Sequence, residues 1–308
     1  MKFLNIDSIN IFLMIFSFGF AMFLPIETFL MAYAVLGPLH YLTEINWLNN
    51  KNFFLKDKKE SKLLIALGIL VFVLMMVNLD GLGLITYSLL WCLFLLPLYF
   101  VLNKKHKSFF ITILVGLIAW SFFNKFLFNF VTVFLFTIIH VYVFTGIFML
   151  LGSIKNKSKL GFLSFATYIL LPLSYFIVLK DINLSSMENL ESYSFSIGNT
   201  VKELSHLLFN QNFNINNIYK STELLIVAKF VAFAYTYHYL NWFSKTKVIG
   251  WFENNMIKNF SIISLWIISV SIYFFDYILG FKILLFLSFI HVVLEFPLNW
   301  ISIKTLIK

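Results

Sequence analysis

Ten apolar stretches follow one another along the chain, at about 9–24, 27–48, 63–79, 84–102, 109–123, 127–152, 161–179, 222–243, 260–276 and 282–300. Crossing about 30 Å of hydrocarbon takes roughly 20 apolar residues in a helix. No water is available there, so each crossing segment must satisfy its own backbone hydrogen bonds, which restricts a segment of this kind to α-helix. The predicted fold is therefore all-α: a polytopic transmembrane helix bundle of about ten helices, forming a single domain over residues 1–308. Composition agrees, since 60% of residues are hydrophobic, 20% aromatic and only 12% charged, where soluble domains carry about 25% charged residues. Soluble folds, disordered tails and disulfide-stapled secreted domains are excluded, the last also because Cys92 is the only cysteine.

The formal charge of +9 comes from 23 lysines and no arginine. Without the bidentate guanidinium that reads phosphate and guanine, a nucleic-acid partner is not expected. The lysines sort by connection instead. One side receives Lys2, the 51–62 loop, Lys104, Lys105 and Lys107, Lys155, Lys157 and Lys159, Lys245, Lys247 and Lys258, and Lys304 and Lys308, which is 17 of the 23. The positive-inside rule makes that side cytoplasmic and places both termini there, in the cytoplasmic membrane. The first helix, preceded by Lys2 and followed by FAMFLPIET, has no small-residue cleavage site and is expected to stay uncleaved. The one long polar stretch, about 181–221, falls on the outer side. Within it Thr200 and Glu203 have capping-box spacing ahead of Leu204, Leu207 and Leu208, which predicts a short helix lying on the membrane surface. Lys229 is expected to snorkel to the outer interface.

Charged side chains at mid-bilayer cost about 2.5–3.5 kcal/mol on insertion scales, so the ionisable groups that do occur there usually face the bundle interior. Four histidines qualify: His40, His140, His238 and His291. All four lie on segments that run from outside to inside under the lysine topology, about 13, 13, 16 and 9 residues from the start. At 1.5 Å per residue they share one slab at or below mid-membrane. Glu44 follows His40 by four residues and Glu295 follows His291 by four, so each carboxylate shares its histidine's helix face. There it can accept the ring N–H of a metal-bound histidine, or ligate the metal itself. Pro38 and Pro297 remove the hydrogen bonds to the Ala34 and Val293 carbonyls, which allows a kink beside each site. Asn241 and Trp242 share the face of His238, and Thr137 and Phe144 that of His140, as supports or pocket walls; Tyr142 points away.

This donor set, rich in imidazole and free of cysteine, suits Fe(II), Zn or Cu. Other readings of the same residues stay open: axial pairs on haem in an electron-transfer protein, a proton- or metal-coupled transporter, or histidines that merely hydrogen-bond one helix to another.

The four histidine contexts resemble those of the Brp/Blh family of integral-membrane carotene-cleaving dioxygenases. The resemblance rests on Pro38, His40 and Glu44, on Ile139-His140, on His238 after the Ala234–Tyr237 stretch, and on His291 followed by Glu295. Two positions depart from the family. Thr145 stands where the family carries an acid after its second histidine, and Asn241 and Trp242 stand where a second histidine of the third motif usually lies. The resemblance implies a non-haem Fe(II) held by His40, His140, His238 and His291, with Glu44 and Glu295 orienting them. It also implies O₂-dependent cleavage of a lipid-soluble substrate, a carotenoid or another isoprenoid, drawn from the surrounding membrane lipid.

Overall fold

The computed structural model describes residues 6–50, 58–77, 83–101, 104–123, 134–177, 182–184, 198–211, 214, 216, 218–245, 250 and 256–307. The regular elements among them are all helices: α1 Ile6–Phe23, α2 Pro25–Met31, a π-helical turn Ala32–Leu36, α3 Gly37–Asn50, α4 Lys58–Val77, α5 Gly83–Val101 and α6 Lys104–Phe123. Then come a π-helical stretch Phe134–Phe144, α7 Thr145–Asn156, α8 Lys159–Ile177, α9 Asn199–Phe209, α10 Thr222–Ser244, α11 Met256–Phe275 and α12 Tyr277–Ile307. Each of the ten expected apolar stretches overlaps helix. Five helices are long and apolar enough to cross a membrane: α1, Ile138–Asn156, α8, α11 and α12.

The distribution of side chains makes this a multi-pass membrane protein. On α1 the buried positions include Asn10 and Ser17, while Phe12, Ile15, Phe16 and Phe20 point outward. On α8 Ser164 is buried, whereas Leu163, Leu170 and Leu173 are exposed. A helix with a polar inner edge and an apolar outer one fits lipid surroundings rather than water. The extreme case is α11, whose buried residues are Ser269 and Tyr273 and whose Ile257, Phe260, Leu265 and Ile268 are exposed.

Two compact units divide the chain, one made of 1–40 and 132–249, the other of 41–131 and 250–308. In the first, α10 is the central helix, packed by α1, α2, α8, α9 and both π-helical segments. Its start is capped by Ser221, whose Oγ accepts from the Leu224 N–H at 3.3 Å. Because neighbours surround α10, Lys229 is fully buried and does not snorkel to the outer interface as the sequence suggested. The pair α7 and α8 approaches closely through Gly161, which faces Ser153, and Gly146, which faces Tyr168. Tyr142 and Tyr168 tie the 134–144 stretch to α8 reciprocally, each hydroxyl donating to the other residue's carbonyl at 3.2 and 2.9 Å. Tyr142 thus turns away from the histidine face, as its position predicts.

Helix α9 forms where the polar stretch predicts one, and it packs on α10 through buried Val201, Leu204 and Ser205. The expected capping box is absent. Gly198 already has helical dihedrals, φ −59° and ψ −48°, so Thr200 lies inside the helix, and a cap residue needs a non-helical backbone.

In the second unit α12 packs against α4, α5 and α11. Asp276 caps it, its Oδ1 accepting the Leu279 N–H at 3.0 Å. Helix α12 continues through Pro297. Before Pro38, by contrast, the helix widens: the Gly37 N–H reaches back to the Ala32 carbonyl, the five-residue spacing of a π-helix. Proline lacks the N–H for Ala34 and its ring crowds that turn, which favours the looser winding.

Candidate metal centre

Three of the predicted histidines meet in the first unit. His40 enters one turn after the π-helical Ala32–Leu36 segment, His140 lies within the π-helical Phe134–Phe144 stretch, and His238 lies late on α10. Single-turn π segments recur at functional sites because one extra residue re-aims a side chain without ending the helix. All three rings are buried. His238 lies 4.8 Å from His40 and 5.2 Å from His140, ring centre to ring centre, both in edge-to-face arrangement. Tyr239 and Trp242 close on His40 at 5.3 and 5.4 Å.

Hydrogen bonds fix which nitrogen of His238 bears the proton. Thr145 Oγ1 donates its single proton to the Val141 carbonyl at 2.7 Å, so toward His238 Nδ1, 2.8 Å away, it can only accept. Nδ1 therefore carries the hydrogen and Nε2 presents a lone pair. That Nε2 faces His40 Nε2 at 3.1 Å. Two imidazole nitrogens bound to one metal at about 2.0–2.1 Å each stand roughly 2.9–3.4 Å apart for bond angles between square and tetrahedral. The pair fits a shared ion, and an imidazole set of this kind suits Fe(II), Zn or Cu.

His291, Glu44 and Glu295 lie in the second unit, on α3 and α12, and all are buried. Tyr41 stacks on the His291 ring at 4.5 Å, and His291 Nδ1 donates to the Ser288 carbonyl at 2.8 Å. The sequence assigned such an acceptor role to the acids. The backbone carbonyl three residues earlier takes it at His291, because helical side chains lean toward the N-terminus. Glu44 Oε2 lies 3.9 Å from His291 Nε2. The Glu44 carboxyl is hydrogen-bonded to that of Glu295, and Asn299 Nδ2 donates to Glu295 Oε2 at 3.2 Å.

Of the remaining predicted residues, Asn241 and Phe144 are buried and Trp242 contacts His40. The side chain of Thr137 lies outside the described residues. Sequence reasoning missed Thr145 as the group orienting His238; its only signal was that it stands where the resembling family has an acid. Tyr239 and Tyr41 were missed for want of any signal among so many aromatics, while Asn299 was legible as the position four after Glu295.

Apolar outer faces, a helical fold and a buried cluster of imidazoles define the class: a multi-pass membrane protein with a histidine cluster able to bind a metal ion. Compared with family models, curated proteins and solved structures, the chain matches none.

Proposed function

We propose that the protein is a non-haem iron oxygenase of the cytoplasmic membrane, with ten crossings and both termini in the cytoplasm, acting on a lipid-soluble carotenoid or other isoprenoid. The observation that carries the metal reading is the His238 Nε2 lone pair, held by Thr145, directed at His40 Nε2 at 3.1 Å. His40, His140 and His238 are the ligands that the first unit supplies in this reading, and the sequence groups His291 with them. When bound, the iron supplies O₂ activation. The chain's own part is to hold the His238 imidazole in a fixed tautomer with His40 and His140 gathered about it, to exclude water by burial, and to offer the substrate an apolar wall that includes Trp242 and Tyr239. The choice of a polyene substrate rests on the family resemblance.

Haem ligation by His40 and His238 as an axial pair fits less well. Axial nitrogens lie on opposite sides of the iron, roughly 4 Å apart at about 2.0 Å per bond, and these two lie 3.1 Å apart.

Purification in mild detergent, with metal analysis and an absorption spectrum, tests the reading. About one iron at this site, no Soret band, and loss of that iron in His140→Ala and His238→Ala are expected, followed by cleavage of carotenoid in vesicles. Folded, monodisperse protein with no iron at this site, or a Soret band, would overturn it.

A further inference from the structure

Within the second unit, helices α4, α5 and α12 leave a shallow groove between them, partly open to the surroundings. Its α12 side is formed by Lys282, Phe286 and Phe289, whose i, i+4, i+7 spacing puts them on one helix face. From α4 come Gly68, Val71 and Phe72, again one face, and Leu93 of α5 completes the wall. Phe72 and Phe286 meet from the two sides, with ring centres 4.6 Å apart. The groove ends where α4 and α12 approach most closely at Gly68, since a methyl group added there would meet the Ile290 side chain.

Lys282 is the one charged residue in this wall. It is half-buried and makes no ion pair or hydrogen bond with a described residue. Asp276, the nearest acid in sequence, accepts the Leu279 N–H at 3.0 Å and lies roughly 120° around the helix from Lys282. The length of α12 sets the level of the lysine. Its 31 residues span about 46 Å against about 30 Å of hydrocarbon, so a centred helix extends about 8 Å beyond the hydrocarbon at each end. Lys282 comes five residues after Tyr277, about 7–8 Å into the helix, where headgroups give way to acyl chains. Phe286 and Phe289 follow about 6 and 10 Å deeper, at acyl-chain level.

A lysine at that boundary lays its methylenes on apolar surface and turns its ammonium to the headgroups. The groove thus has a cation at headgroup level and an aromatic trough below it. In sign and in layout this matches a lipid whose headgroup carries net negative charge, the kind of ligand that basic pockets between membrane helices take. A single acyl chain can lie along a shallow groove and needs no enclosed cavity. We propose that the groove between α4 and α12 binds one phospholipid with a net anionic headgroup, which pairs with Lys282 while an acyl chain lies against Val71, Phe72, Phe286 and Phe289. The proposal does not rest on the iron reading, since none of these residues belongs to the imidazole site.

Phosphatidylglycerol is the probe and phosphatidylcholine the reference. Full-length chain in detergent is titrated with each, and the lipid retained per chain is counted by native mass spectrometry. One phosphatidylglycerol is expected to bind about fivefold more tightly than phosphatidylcholine, the factor that one lysine near a membrane surface contributes. Lys282→Gln is expected to abolish that preference, and Val71→Phe, which narrows the groove, to weaken both lipids. Lys304→Gln, near the other end of α12, is expected to leave both unchanged. Equal affinity of the wild-type chain for the two lipids overturns the proposal, and that comparison needs no variant to fold. A preference that survives Lys282→Gln, undiminished binding in Val71→Phe, or an equal loss in Lys304→Gln overturns it as well. Iron content speaks to the first unit alone, so the two readings fail separately.

Discussion

Thr145 Oγ1 sits 2.8 Å from His238 Nδ1 while donating its own proton to the Val141 carbonyl at 2.7 Å. The hydroxyl is thereby a committed acceptor, and it dictates that His238 turns its Nε2 lone pair toward His40. An acid in the same place would accept the ring proton more strongly but bring a charge. Threonine does the same orienting without one, inside a slab where charge is costly.

Replacing Thr145 by valine keeps shape and removes the acceptor. Groups that orient a metal-bound imidazole typically contribute about 10–100-fold in metal affinity, so under the proposed function Thr145→Val is expected to weaken metal binding by about that factor, and Thr145→Ser to restore most of it. Competitive titration with a chelator of known affinity reads both. Equal affinity in wild type and Thr145→Val would mean that the hydroxyl does not hold the ring.

Tyr175 is fully buried, stacks on Phe18 at 4.6 Å and donates its hydroxyl proton to the Phe18 carbonyl at 2.7 Å. Tyr175→Phe removes one hydrogen bond and is expected to cost about 1 kcal/mol. Tyr175→Ala also opens a cavity and is expected to cost about 3–5 kcal/mol. Reversible unfolding in detergent separates the two; equal losses would show that packing against Phe18 contributes nothing of its own.

Gly280 on α12 faces the backbone of Tyr273 on α11, and a methyl group there would collide with that backbone, which cannot swing aside as a side-chain tip can. Gly280→Ala is expected to destabilise by about 1–3 kcal/mol, the usual cost of overpacking, despite the better helix propensity of alanine. A melting temperature equal to or above wild type would disprove the close approach.

The lysine topology assigns opposite sides to the α7–α8 connection and to the polar stretch after α8. Lys157 and Leu184 are both exposed. In a Cys92→Ser background, Leu184→Cys is expected to react with a membrane-impermeant thiol reagent in intact cells, and Lys157→Cys only after the membrane is opened. Labelling of both in intact cells contradicts the assignment.

Much of this was legible in the chain. The apolar stretches determine helix, since a continuous apolar segment of that length satisfies its own backbone in hydrocarbon only as a helix, and each expected stretch overlaps helix. The buried histidines and acids were legible too, because an ionisable group in such a segment has few places to go except inward. Helix α9 followed from periodicity, although its start did not, since a cap depends on the dihedrals of one residue, Gly198.

Tertiary structure decided the rest. Which nitrogen of His238 carries a proton depends on Thr145, 93 positions away in sequence, and no local rule connects residues so far apart. The fate of Lys229 depended on how many neighbours surround α10, and the role of Glu44 on the acid and imidazole that α12 brings to it. Sequence determines what a segment can bury; only the packing of segments determines what each buried polar atom meets, because hydrogen bonds between helices are set by distances of tenths of an ångström.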